Sequence, residues 1–270
     1  MISVNYIGQF GNCMFQYVFA RLHAMHNEIN IITHGPVELQ TCPVKQYNEP
    51  NKRGTITITD EIYYNHRLKN GSSIIQLDPN YDYIFSGYFQ DAELYNLHCD
   101  DIRNFFILDY PEPVEDTPLV LIRLGDFIHS GVNSEIIHYQ WYTDIFNTLN
   151  KPKKFSISSN GLHRSPSCKD KEEKYIRHLL TKDDIVLSSG VDPITEFLDV
   201  MTHKTIVCSN STWAWWAAFL SRAEKIYAFK NFGSFGTHTI KSHGIHINKL
   251  CDIRDVSIVS DGNFINILEL

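Results

Sequence analysis

The chain has 270 residues, enough to bury a sizeable core as one large domain or as two smaller ones sharing a cleft. Its formal charge of -7 argues against a nucleic-acid binder, which needs a surplus of Lys and Arg over a surface, so any phosphate recognised must be met locally. Six scattered cysteines (Cys13, Cys42, Cys99, Cys168, Cys208 and Cys251) form no CxxC pair. Neither a disulfide framework nor a zinc site is suggested, and buried free thiols are expected. The first residues lack a basic region followed by an apolar run, and no stretch reaches about 18 apolar residues. A soluble, cytoplasmic protein without a membrane-spanning segment is expected.

In chain order, residues 2–7 read as a short buried strand broken by Gly8 and Gly11, and apolar spacing over 14–24 predicts a helix. Residues 29–33 read as a second strand, 56–62 as a half-buried strand, and 83–85 as another before Gly87. Residues 110–118 hold three prolines and three acids, which favour an extended, solvated connection and mark the best domain boundary. Beyond it, strands are predicted at 119–122, 154–158, 185–188 and 205–208, with helices at 141–149, 172–180 and 194–201. Short strands alternating with helices predict parallel α/β sheets in two halves, 1–112 and 119–270.

Four stretches carry candidate chemistry. Gly8-Gln9-Phe10-Gly11-Asn12 lies between a strand and a helix, where backbone N–H groups and one amide can meet an anion or a sugar. By itself it also fits any tight strand-to-helix turn. In Ile122-Arg123-Leu124-Gly125-Asp126, a lone Arg stands at a strand's carboxyl end, placed to clasp a diphosphate or to pair with Asp126. Ser209-Asn210-Ser211-Thr212 runs from a strand into an apolar helix, so hydroxyls, helix N–H groups and the dipole converge. Simple capping explains one such residue, not four in a row. Gly87-Tyr88-Phe89-Gln90 is the fourth, singled out only by a family resemblance.

Together these stretches resemble the α-1,2-fucosyltransferase family and its wider fucosyltransferase superfamily. The family's G-G-L-G-N-Q-M-F-Q-Y-A-F-A-R is similar to the segment from Gly8 to Arg21, and its H-I-R-R-G-D-Y to that from Leu121 to Phe127. Its N-S-S-F-S-W-W is similar to Asn210 through Trp216, and its G-Y-W-Q to Gly87 through Gln90. The resemblance implies a GT-B-like architecture of two facing Rossmann-like domains, acceptor side first and donor side second. It implies an inverting, metal-independent glycosyltransferase moving one sugar from a nucleotide diphosphate to a glycan hydroxyl, with GDP-fucose the default donor. No cofactor is expected, and the chain has no Asp-x-Asp to bridge a diphosphate through a metal.

By position, Arg123 matches the arginine that grips the β-phosphate. Ser211 and Thr212, with Ser209, Asn210, Gly11 and Asn12, belong to the donor side, and Asn12 also matches an asparagine at the reaction centre. Glu135 and Asp126 are the candidates for the base that takes the acceptor proton. Tyr88, Gln90 and Asp91 are the acceptor-side candidates. His238, His243 and His246 fit no zinc spacing and are read as surface or packing residues.

Departures bear on the donor. The family's histidine before the key arginine is Leu121 here, its second arginine is Leu124, and the acid that helps read guanine aligns with Phe197, beside Glu196 and Asp199. A site without guanine readers discriminates guanine poorly. A switched donor such as UDP-xylose is therefore the alternative, and a non-catalytic sugar-nucleotide or glycan-binding module is a further one.

Overall fold

A computed structural model of the chain describes residues 1–36, 38–125, 136–149, 152–158, 166–186 and 192–229, and the short strands at 239–240, 245–246, 257–260 and 264–265. The chain divides into two compact units. One is Met1–Asp109 with Phe235–Lys249, the other Tyr110–Ser234 with Leu250–Leu270. Both are mixed α/β and built on parallel sheets.

In the first unit, β1 (Ile2–Val4), β2 (Thr55–Thr59) and β3 (Asp82–Ser86) form a parallel sheet in the order β1-β3-β2. Helix α1 (Phe10–Asn27) follows β1, and its inner face from Met14 to Ala24 is buried almost without interruption. That continuity explains why its apolar pattern is broad. The strand expected at 29–33 is reduced to a single parallel bridge between Ile31 and Ile2, because only that residue meets the sheet. The strand expected at 56–62 stops at Thr59. Thr59 instead caps α2 (Asp60–Asn70), its Oγ1 accepting from Ile62 N at 3.4 Å. Asp60 and Glu61 in the first turn complement the helix dipole, so helix chemistry overrides the alternation that continues through Ile62. Two short helices, α3 (Ala92–Leu97) and α4 (Cys99–Arg103), carry no long apolar period and went unread.

The second unit holds a six-stranded parallel sheet. Its strands are β4 (Leu119–Arg123), β6 (Lys154–Ser158), β7 (Ile185–Val186), β8 (Thr205–Val207), β9 (Lys225–Phe229) and β12 (Ser257–Ser260). The order across the sheet is β12-β9-β8-β4-β6-β7, with every neighbouring pair parallel. Numbered along the chain, that is 3-2-1-4-5-6 read from β7, the doubly wound order of dinucleotide-binding folds. Two further short pairs occur: β5 (Ile136–Ile137) with β13 (Phe264–Ile265), and β10 (Thr239–Ile240) with β11 (Ile245–His246).

Helices cover both faces of the large sheet. On one side Val120, Ile122 and Phe155 pack with Trp141, Tyr142 and Ile145 of α5 (Tyr139–Leu149) and Tyr175 of α6 (Pro166–Arg177). On the other lies α7 (Pro193–Met201), whose Glu196 Oε1 accepts a hydrogen bond from Ser156 Oγ, level with Leu121 in the strand register. Among the described residues no helix is long and apolar enough to cross a membrane. Of the free cysteines described, Cys208 is buried, while Cys13, Cys42 and Cys99 are half-exposed.

The core of the first unit contains a buried histidine. His23 is fully buried among Phe19, Tyr63 and Phe85. Its Nδ1 is bonded to the Phe19 carbonyl at 2.9 Å, and its Nε2 accepts from Ile75 N at 3.2 Å. Burial disfavours the imidazolium, and the pKa falls to about 3. The folded state therefore binds the neutral ring. His23 contributes fully above the unfolded value of 6.5, and its contribution fades as pH falls from 6.5 toward 3. Urea unfolding between pH 7 and 5 is expected to show a stability slope that His23→Gln loses, at most about 1.4 kcal/mol per pH unit. An equal slope in both proteins would contradict the assignment.

Candidate functional site

The second unit brings two predicted stretches together. β4 pairs with β8, Val120 standing beside Val207. Arg123 lies three residues beyond Val120 and Asn210 three beyond Val207, so both stretches leave the carboxyl edge side by side. The connections on either side of β4 and β8 run in opposite directions, which makes this the topological switch point, where open α/β sheets bind their ligands. Strand alternation puts Arg123 on the Leu121 face, the one covered by α7.

After β8 the chain turns into α8 (Thr212–Leu220). Ser211 is its N-cap. Its Oγ accepts from Ala214 N at 3.1 Å and from Ser209 Oγ at 3.3 Å, and its carbonyl takes the Trp215 N–H. Ser209 and Asn210 are buried, whereas Ser211 and Thr212 are half-exposed. The N–H groups of Thr212 and Trp213 are among the donors that every helix leaves unpaired at its start. Below the first turn α8 is anchored by Trp215, Trp216 and Phe219, all fully buried, with Trp215 stacked on Phe219 at 4.8 Å. Trp213 meets Phe197 of α7 edge-on at 5.6 Å, so the start of α8 packs against the middle of α7. Hydroxyls, first-turn amides and a guanidinium at one sheet edge suit an anion.

The first unit brings together the other two stretches. Gly8 adopts φ +90, and a Cβ there would meet Asn12 Nδ2 at 2.4 Å, so glycine is needed for both backbone and space. Gln16, fully buried, holds Ile7 from both sides, its Oε1 accepting from Ile7 N at 2.9 Å and its Nε2 donating to Ile7 O at 2.7 Å. Arg21 bonds Tyr17 Oη at 2.7 Å and Phe105 O at 2.9 Å. Gln16 and Arg21 are thereby used in holding the fold. Asn12 remains half-exposed at the surface, and Gln90 Nε2 donates to its Oδ1 at 3.1 Å. Gly11 is buried in the first turn of α1.

Of the acceptor-side residues, Tyr88 and Gln90 are half-exposed, while Asp91 is fully buried with its Oδ2 on Tyr63 Oη at 2.7 Å and on Arg67. Leu121 and Phe197 are buried, at 2 % and 0 % exposure. Asp126 and Glu135 lie outside the described residues, as do the side chains of His238, His243 and His246. Among the described residues no group of three His, Cys, Asp or Glu stands ready to hold a metal. Sequence reading missed Asp60, Tyr63 and Arg67, which share one face of α2 and all reach the segment 88–91. Their i, i+3, i+7 spacing was the available signal, hidden because 60–62 was taken as strand.

Comparison with protein-family models, curated proteins and solved structures finds no match for this chain.

Two substitutions check the local geometry. Ser211→Ala is expected to cost about 1 kcal/mol in urea unfolding, the ordinary worth of an N-cap. Gly8→Ala is expected to cost about 1–3 kcal/mol through the backbone alone. A stability unchanged in either would show that the turn is not held as described.

Proposed function

We propose that the protein is a glycosyltransferase whose nucleotide-sugar donor is held by its diphosphate at the switch point of the second unit. The observation that carries this is the arrival of Arg123 and the Ser211-capped start of α8 at the same carboxyl edge, between β4 and β8. An arginine fork and helix amides are what a diphosphate needs as it becomes a leaving group. The resemblance of four ordered motifs to the fucosyltransferase superfamily points the same way.

In this reading the reaction is inverting. Arg123, Ser211 and Thr212 stabilise the charge on the departing nucleoside diphosphate, Asn12 lines the reaction centre on the donor side, and Gln90 belongs to the acceptor side of a GT-B arrangement. Asp126 or Glu135 takes the acceptor proton. The donor base is left to experiment between guanine and uracil, since Leu121 and Phe197 offer no hydrogen bonds to a purine edge.

Thermal denaturation with GDP, UDP and their sugars tests the donor site. One nucleoside diphosphate is expected to stabilise the protein by about 2.7 kcal/mol at a hundredfold excess over its Kd, and the free nucleoside far less. Arg123→Ala is expected to weaken diphosphate binding by about tenfold or more, the loss of a charged hydrogen bond. Stabilisation by no nucleotide would overturn the donor site. Donor turnover is expected to survive a chelator, because the leaving charge falls on Arg123 and α8, and abolition by the chelator would overturn that assignment.

A further inference from the structure

In the first unit β1 and β3 are adjacent and parallel, so the loops that leave them emerge side by side at the carboxyl edge of the sheet. The Asn12–Gln90 bond joins those two loops.

One face of α2 is committed to holding the second loop. Asp60 accepts Tyr88 N through Oδ2 and Phe89 N through Oδ1, each at 2.7 Å. Four residues on from Tyr63, which bonds Asp91 Oδ2 at 2.7 Å, Arg67 pairs with the same carboxylate. From α3, Tyr95 Oη donates to Phe89 O. Phe89 is held at φ 51, a region costly for a residue with a side chain, while its ring stacks on Phe19 at 4.0 Å and 6°. Buried carboxylates and a strained backbone thus fix the residues on both sides of Gln90, whose own side chain is half-exposed. Such expense is expected where a loop must keep one geometry.

We propose that Asn12 and Gln90 form a binding site for a neutral, hydroxyl-bearing ligand, and that Asp60, Tyr63 and Arg67 are its positioning residues. The mutual bond uses Gln90 Nε2 and Asn12 Oδ1, leaving an acceptor at Gln90 Oε1 and donors at Asn12 Nδ2. A sugar hydroxyl both donates and accepts and so matches that pair. The nearby charges are turned inward: Asp60 and Asp91 are buried on backbone amides, Tyr63 and Arg67. Arg67, the cation of this network, is itself paired with Asp91 and Glu93. Naming the ligand as the acceptor sugar rests on the transferase reading; the hydroxyl chemistry does not.

Side-chain amide NMR of the full chain labelled with 15N asparagine and glutamine tests the site, with glucose, galactose, N-acetylglucosamine and inorganic phosphate as probes. At least one sugar is expected to shift the Asn12 and Gln90 resonances saturably, and phosphate to leave them in place. Gln90→Ala lowers that sugar's affinity about tenfold, the worth of one good hydrogen bond. In the unliganded Asp60→Asn protein the Gln90 resonances move while those of Asn30 stay, and sugar affinity falls. Should that variant not fold, Tyr63→Phe, which removes one hydroxyl, shows the same displacement. Sugars that move neither resonance, or that bind Gln90→Ala as well as wild type, overturn the site. A Gln90 resonance unmoved in the α2 variants overturns the positioning role. Nucleotide binding measured on the same samples keeps the readings apart: nucleotide bound with sugars silent removes this site alone, and sugars bound without nucleotide remove the donor site alone.

Discussion

The pairing of β4 with β8 is the constraint on which the second unit depends. It places the first and fourth strands of the sheet beside one another, and their connections then part to opposite sides. A crevice at their carboxyl edge follows from topology alone. What the sequence adds is the chemistry delivered there: Arg123 from one strand, and from the other a turn in which Ser211 caps the start of a helix. Neither works without its apolar support. The helix start is fixed because Trp215, Trp216 and Phe219 bury its far side, and the β4 strand is fixed by Val120 and Ile122 packing on α5.

The two units solve the same problem with opposite electrostatics. In the second, a cation and helix amides stand at the sheet edge. In the first, two amides stand there and the carboxylates are folded inward onto α2 and the loop backbone. Burying Asp91 with Arg67 is a poor way to gain stability, because desolvation offsets most of the attraction. It does fix geometry, as the positive φ of Phe89 requires.

How much of this was legible depended on the length of the local signal. The strands at 119–122 and 205–208 were readable as largely apolar runs of the kind central parallel strands show, and that at 154–158 because Phe155 and Ile157 alternate with polar residues. The strand order was not, since pairing is a long-range property that no local pattern encodes. At residues 56–62 the alternation persists into Ile62, and only the Thr59-Asp60-Glu61 start signal separates strand from helix. That error concealed the Asp60, Tyr63 and Arg67 face. Asn12 and Gln90 were each legible in a motif, but not that they touch, and Asp91 read as an acceptor residue because its burial depends on Tyr63 and Arg67, far away in sequence.

Hydrogen exchange at the backbone amides of Thr212 and Trp213 tests the switch-point account most directly. These N–H groups stand in the first turn, without an i−4 carbonyl of their own helix, so a bound anion is expected to slow their exchange. A saturating nucleoside diphosphate is expected to protect both in the wild type and to protect them much less in Arg123→Ala. Unchanged exchange at Thr212 and Trp213 under saturating nucleotide would contradict the assignment of this edge as the diphosphate site.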